Sequence, residues 1–203
     1  MKAFWNQRYR SETFAYGKTP NLYFKQQLDR LKPGKLFLPA EGEGRNAVYA
    51  ALCGWEVTAY DFSEVAIEKA KILAKEKKVH FTYQNASLEQ IHFAPASFDA
   101  IGIVFVQYPS EVRTKNFNKI CSFLKPGGTL IMEVFSRNHL EYQQLNPSVG
   151  GPKNIDQLYD IKEIEQVFCD FDVLELSEEK TKLEEGKFHR GMASVIRFVG
   201  IKK

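Results

Sequence analysis

Several things that would settle a protein's class at once are scarce in this sequence. It has three cysteines, Cys53, Cys121 and Cys169, an odd and widely spaced set without a CxxC pair. That excludes a disulfide framework and a cysteine zinc knuckle, and their apolar neighbours make them reduced core residues by expectation. Four histidines fall at no metal-ligand spacing, so no metal site is expected, and His80, His92 and His139 read as surface or strand-end residues. No apolar run approaches the length of about 20 residues that a membrane-spanning helix requires. Residues 1–10 carry Lys2, Arg8 and Arg10 with no apolar stretch, so neither a signal peptide nor a membrane partner is expected and the cytoplasm is the expected compartment. Excess charge is missing too: 28 basic and 25 acidic residues leave a formal net charge of +3. The densest basic run, residues 69–78, has Glu68 and Glu76 within or beside it, the pattern of a solvated helix face and not of a phosphate-binding stripe. A nucleic-acid partner is therefore not expected.

What is present is an ordinary globular balance, 44% apolar and 26% charged over 203 residues, which a single domain can fold by burying roughly 70% of its unfolded surface. Thr19 reads as the N-cap and Pro20 as the first position of a helix over residues 20–31, with Phe24, Leu28 and Leu31 on one side. Strand-like runs follow at 35–39, 56–60, 79–84, 98–105 and 129–135, alternating with helical patterns at 46–53, after a Ser63 cap with Val65, Ala66, Ala70, Leu73 and Ala74 at helical spacing, and at 111–124. Such alternation predicts an α/β protein with a doubly wound, mostly parallel sheet covered on both faces. A further helix is expected at 161–168. Two alternating runs at 171–178 and 193–201 suit an antiparallel C-terminal edge hairpin, bringing the sheet to seven strands. The whole of 1–203 reads as one domain, with an N-terminal helical segment or lid over 1–34. Residues 136–160, polar and holding Pro147, Gly150, Gly151 and Pro152, form a candidate lid insertion.

The chemistry gathers at the first turn, Glu41-Gly42-Glu43-Gly44. Gly42 and Gly44 can take backbone angles closed to other residues, and the helix that follows offers unpaired N–H groups to a ligand. Asp61 stands at the carboxyl end of the second strand, where a carboxylate can accept both hydroxyls of a ribose. Together they point to an adenosine-type cofactor. GEGRNA also satisfies the dinucleotide pattern GxGxxA, so a nicotinamide-dependent oxidoreductase stays open at this level.

Four stretches resemble the class I S-adenosylmethionine-dependent methyltransferases and, within them, the small tellurite-resistance-type branch: FWNQRYRSETFAYGKTPN, AEGEGRNA with VTAYDFS, FDAIGIVFVQYP with FLKPGGTLIMEVF, and EEGKFHRGMASVIRFVGIKK. The resemblance implies a Rossmann-like methyltransferase fold and S-adenosylmethionine as cofactor, with S-adenosylhomocysteine as its product. It implies that Glu41, Gly42 and Gly44 hold the amino-acid end of the cofactor, Asp61 the ribose and Phe62 the adenine face. Ala86, Ser87 and Leu88 would border the adenine edge, while Phe105 and Tyr16 flank the sulfonium, to which an aromatic face is attracted. The N-terminal segment, with Phe4, Trp5, Tyr9 and Phe14, is expected to fold over the cofactor. Three positions depart from the superfamily pattern: Ala40 for the first glycine, Ser87 for an adenine-binding aspartate, and Gln107 where histidine is common.

The implied activity is methyl transfer to a small-molecule acceptor, a chalcogen oxyanion or a thiol, by a monomer or weak homodimer. His189 and Arg197 are the catalytic candidates, with Arg190 and Tyr142 beside them on the acceptor side; His189, Arg190 and Arg197 together would suit an anion. Two rivals remain. Against the NAD-dependent oxidoreductase stands the lack of any tyrosine followed four positions later by lysine. A cofactor-binding sensor without catalysis draws on Ala40 and Ser87.

Overall fold

The computed structural model describes residues 2–203. Its seven strands run in the order β3-β2-β1-β4-β5-β7-β6, with β1 Lys35–Pro39, β2 Glu56–Asp61, β3 Thr82–Asn85, β4 Phe98–Val104, β5 Leu124–Phe135, β6 Phe171–Glu185 and β7 His189–Lys202. The first five pair in parallel, while β7 lies antiparallel between β5 and β6. The α/β class, the parallel core and the antiparallel C-terminal hairpin therefore agree with the sequence. The hairpin is longer than the alternating runs suggested, and β6 alone forms that edge.

Alternation along the strands sorts side chains onto two faces. Phe37, Ile101, Ile103 and Met132 are buried on one face with Phe117 and Ile120 of α5 Ser110–Ser122 and Ile164 of α7 Ile161–Val167. Leu36, Leu38, Ala100 and Ile131 face the other way, onto Phe24 and Leu28 of α2 Leu22–Leu28 and Ala47 and Ala50 of α3 Arg45–Leu52. Burying a side chain such as Phe24 completely stabilises the fold by about 1.5–3 kcal/mol. Among the described residues, no helix is long and apolar enough to cross a membrane.

Several expectations are corrected. The second helix is capped by Asn21 and not by Thr19: the Asn21 side-chain oxygen accepts the Phe24 N–H at 2.8 Å, which moves the helix start past Pro20. Residues ahead of it form a helix of their own, α1 Lys2–Tyr9. The third strand begins only at Thr82, because Lys78 ends α4 Glu64–Lys77 in a left-handed conformation and the chain needs residues 79–81 to re-enter the sheet. Cys53 and Cys169 are exposed and Cys121 is half-buried, since Cys53 caps the end of α3 and Cys169 lies in the turn before β6. His139 is fully buried: it opens α6 His139–Leu145, stacks on Phe135 at 4.1 Å, and its Nε2 is 3.0 Å from the Gly150 carbonyl.

Candidate active site

The chain reverses direction across the sheet between β1 and β4, and the carboxyl ends of parallel strands at such a switch point leave a crevice. A cavity of about 430 Å³ opens there. Its floor is made by Ala40 and Glu41 after β1, Asp61 and Phe62 at the end of β2, Ser87 and Leu88 after β3, and residues 104–109 at the end of β4. Trp5, Tyr9 and Tyr16 come over it from the N-terminal segment, and His189 enters from the tip of the β6–β7 hairpin.

Asp61 is buried, and each carboxylate oxygen accepts one backbone N–H: Oδ2 from Gly42 at 3.0 Å and Oδ1 from Ser63 at 2.8 Å. Each oxygen keeps a lone pair for a further donor. Burial pushes its pKa up to about 6 against the pull of those amides. Glu41 Oε1 accepts the N–H groups of Asn46 and Ala47, both at 2.8 Å, so its carboxylate caps the start of α3, and burial pushes its pKa up to about 7. Phe105 holds a left-handed backbone, φ 52°, at the end of β4, with its N–H donated to the Glu133 carbonyl at 2.8 Å. That conformation is uncommon for an aromatic residue and signals a constrained position. Its ring stacks on Phe135 at 4.5 Å and meets His189 edge-on at 4.7 Å.

The glycines of the turn make room for their neighbours. Neither Gly42 nor Gly44 lines the cavity. A Cβ on Gly44 would stand 2.6 Å from the Ala70 Cβ, so this glycine lets α3 approach α4; a Cβ on Gly42 would stand 2.8 Å from the Tyr9 hydroxyl. Both have positive φ. Ala40 adopts φ 49° in the position where a glycine was expected, so its conformation, and not its side chain, is glycine-like.

The N-terminal segment is fastened down by a buried pair. Lys69 Nζ on α4 lies 2.5 Å from Glu43 Oε1, the sole partner of that oxygen among the described residues, and donates to the carbonyls of Ser11 at 2.9 Å and Thr13 at 2.7 Å. Glu43 Oε2 accepts the Ala15 N–H at 2.8 Å. Tyr16, next in the chain, is thereby held 4.4 Å from the His189 ring.

A second network stands behind His189. Its Nδ1 is 3.1 Å from Glu185 Oε2, which also accepts from Arg45 Nη2 at 2.8 Å, and Glu185 Oε1 accepts from Asn21 Nδ2 at 3.0 Å. Burial alone would raise the Glu185 pKa, but the Arg45 charge and the His189 hydrogen bond outweigh it and bring it down to about 2. Burial lowers that of His189, which Arg45 and Arg8 reinforce and Glu185 opposes.

Of the cofactor-side residues expected from the sequence, Tyr16, Glu41, Asp61, Phe62, Ser87, Leu88 and Phe105 meet around this cavity, while Gly42, Gly44 and Ala86 stay behind its wall. Of the acceptor-side residues only His189 reaches it. Arg197 lies against Tyr23 at 4.7 Å with its Nε 2.9 Å from Glu133 Oε1. It shares the inward face of β7 with His189 but stands eight residues away, on the order of 25 Å along a strand. Arg190, on the opposite face, is exposed and donates to the Gly186 carbonyl. The anion-binding cluster of His189, Arg190 and Arg197 does not form. Tyr142 packs with Phe135 and Val149, and no residue of 136–160 lines the cavity; that segment packs on β7, and the N-terminal segment is the cover. Arg45, Glu43, Lys69 and Glu185 take their roles from partners far away in the sequence. Only Glu185 left a local signal, four residues before His189 across a Gly186 turn.

Residues 40–128 match the family model of a methyltransferase domain. The fold is that of the class I methyltransferases. It resembles a solved structure concerned with converting a disulfide bond into a thioacetal group during echinomycin biosynthesis, with a TM-score of 0.79, 14% identity and coverage of 100% of this chain and 92% of that one. It resembles TehB from Haemophilus influenzae with a TM-score of 0.72 and 16% identity over 100% of this chain and 67% of the other. By sequence, the chain is 33% identical over 98 residues, 48% of its length, to a demethylmenaquinone methyltransferase from Clavibacter sepedonicus. Matches to such curated relatives span less than half of their length, 39% and 45%.

Proposed function

We propose that the protein is an S-adenosylmethionine-dependent methyltransferase acting on a small molecule, a member of the branch that the TehB likeness suggests. One observation carries this reading: the residues matched by the methyltransferase domain model, 40–128, build the whole cavity wall except Trp5, Tyr9, Tyr16 and His189. The parts that the wider family holds in common thus form a donor site, and the parts outside the match form its roof.

The side chains present suit that donor. Asp61 keeps a free lone pair on each oxygen for ribose hydroxyls, Phe62 and Leu88 offer apolar faces for an adenine, and the rings of Tyr16 and Phe105 would border a sulfonium. Glu41 and Arg45 lie nearest the turn, where an amino-acid end would be held. Bound S-adenosylmethionine supplies an electrophilic methyl group. The protein's share of the chemistry is to align that methyl with a nucleophile in a space closed to water by the N-terminal segment.

A dinucleotide is less well served. The usual dinucleotide sheet is mostly parallel and runs in the order 3-2-1-4-5-6, whereas here the place beside β5 is taken by the antiparallel β7. The acceptor is read as a thiol or chalcogen oxyanion and the protein as a monomer or weak homodimer in the cytoplasm. The test is thermal melting: S-adenosylhomocysteine at about 100 times its Kd should add about 2.7 kcal/mol and raise the Tm, while NAD at the same concentration leaves it unchanged. Stabilisation by NAD instead would sink the reading.

A further inference from the structure

We infer that His189, oriented by Glu185, is the base that takes a proton from the acceptor, and that the acceptor is a small uncharged molecule bearing a weakly acidic thiol, not an oxyanion. The inference rests on the methyltransferase reading and deepens it.

The geometry is that of a carboxylate-histidine dyad. Glu185 and His189 face each other as a cross-strand pair at the mouth of the β6–β7 hairpin, with Nδ1 3.1 Å from Oε2. An ionised carboxylate only accepts hydrogen bonds, so Nδ1 carries the proton and Nε2 is left with its lone pair. Nε2 has no hydrogen-bond partner among the described residues, although His189 is only 4% exposed and borders the cavity. Its ring is fixed between Tyr16 at 4.4 Å and Phe105 at 4.7 Å, the two aromatics on either side of the proposed sulfonium position. A buried base with a free lone pair therefore meets the place where the methyl group would be delivered.

Charge decides the acceptor. Arg45 is the one arginine or lysine on the cavity wall among the described residues, and its Nη2 is committed to Glu185. Arg190 and Arg197 are turned elsewhere. An oxyanion entering this site would lose water and meet no unpaired cation on the cavity wall, since Arg8 stands behind that wall over the Phe188 ring at 4.1 Å, and that exchange is costly. A neutral thiol needs the opposite, a proton acceptor at the moment of attack. In the step, the acceptor's S–H proton passes to Nε2 as its sulfur forms a bond to the methyl carbon. The electron pair of the breaking carbon–sulfonium bond stays with the donor sulfur, leaving two neutral thioethers and an imidazolium that returns its proton to solvent.

The titrating and charged groups facing His189 are Glu185 on β6, Arg45 on α3, Tyr16 on the N-terminal segment, Arg8 on α1 and, beyond Phe135, His139 on α6. Burial lowers the His189 pKa, so the base is neutral before turnover.

Two measurements test the inference. In histidine-¹⁵N-labelled protein without ligand, with His189→Asn assigning the signal, His189 should be the neutral Nδ1–H tautomer throughout pH 6–8. An Nε2–H tautomer or an imidazolium at pH 7 overturns the dyad. With S-adenosylmethionine, benzyl mercaptan and sodium tellurite serve as acceptor probes. His189→Asn should lower kcat for benzyl mercaptan by about 100-fold or more, with KM and the S-adenosylhomocysteine Kd within about threefold, and the loss should shrink as pH approaches the thiol's own pKa. Unchanged kcat in His189→Asn, no turnover of the thiol by wild-type protein that binds S-adenosylhomocysteine, or a higher kcat/KM for tellurite overturns the assignment. Failure of wild-type protein to bind S-adenosylhomocysteine refutes the methyltransferase reading instead, while the tautomer measurement still reports on the dyad.

Discussion

Removing the charge of Lys69 should loosen the roof of the active site and destabilise the whole domain, and the amount follows from what its ammonium touches. Lys69 and Glu43 are both buried, with side chains 11% and 3% exposed. Lys69→Met leaves Glu43 without its counter-charge and strips donors from the carbonyls of Ser11 and Thr13. Breaking one side of a buried pair costs about 3–5 kcal/mol. Burial already raises the Glu43 pKa, so the orphaned carboxyl can relieve part of that cost by taking a proton, which places the expectation near the lower end. In a domain of this size, about 3 kcal/mol lowers the Tm by roughly 6–12 °C. The sign with pH follows from the raised pKa. The folded state binds a proton that the unfolded state releases, so the penalty is full above the folded pKa and fades as pH falls toward the unfolded value; Lys69→Met should lose less at pH 5 than at pH 8. Adding Glu43→Gln removes the buried charge yet keeps an oxygen for the Ala15 N–H, and the double variant should recover about 1–2 kcal/mol. Thermal melting and hydrogen exchange at Ala15 and Tyr16 measure both effects. A Tm within about 2 °C of wild type, or no recovery in the double variant, would refute the account of the pair as the fastening of the N-terminal segment.

Other outcomes are expected from the same site. The Asp61 pKa, raised to about 6, makes its contribution to stability fall as pH rises from the ordinary carboxyl range to that value, while ribose hydroxyls need the ionised form. Calorimetry should therefore show S-adenosylhomocysteine binding about tenfold weaker at pH 5 than at pH 7.5, and Asp61→Ala should weaken it similarly and flatten the pH dependence. Gly44→Ala forces a Cβ to within 2.6 Å of Ala70 at φ 80° and should cost about 2–4 kcal/mol; a Tm unchanged within 1 °C would remove the close helix approach from the explanation. Ala40→Gly relieves a left-handed alanine at some entropic cost and should raise the Tm by about 1–2 °C; a drop would show that the methyl group matters more than the strain.

Much of the fold was legible because its signals are local. Strand alternation, a Ser63 cap whose hydroxyl accepts the Ala66 N–H at 3.2 Å, and an acidic residue closing β2 need only near neighbours to be meaningful. Asp61 was found this way, and its place at the cavity floor follows from parallel strands ending on the same side. Residues whose meaning comes from distant partners were misread. The cysteines looked internal by the company they keep, yet two sit where a helix or a turn ends and solvent begins. Arg197 and His189 have the same parity on one strand, which says that they share a face and nothing about how far apart they stand.

By itself, then, the sequence determined the alternating architecture, the crevice at the strand ends and the carboxylate placed in it, since each depends on periodicity and order along the chain. Tertiary structure alone decided what the glycines make room for: Gly42 for Tyr9 and Gly44 for Ala70, neighbours brought close by the packing of the helices. It also decided the character of His189. Burial lowers its pKa, Arg45 reinforces that and Glu185, 3.1 Å from Nδ1, opposes it; Arg45 is held to Glu185 across 140 positions of sequence, and a pKa is a property of a surrounding field that no local pattern contains.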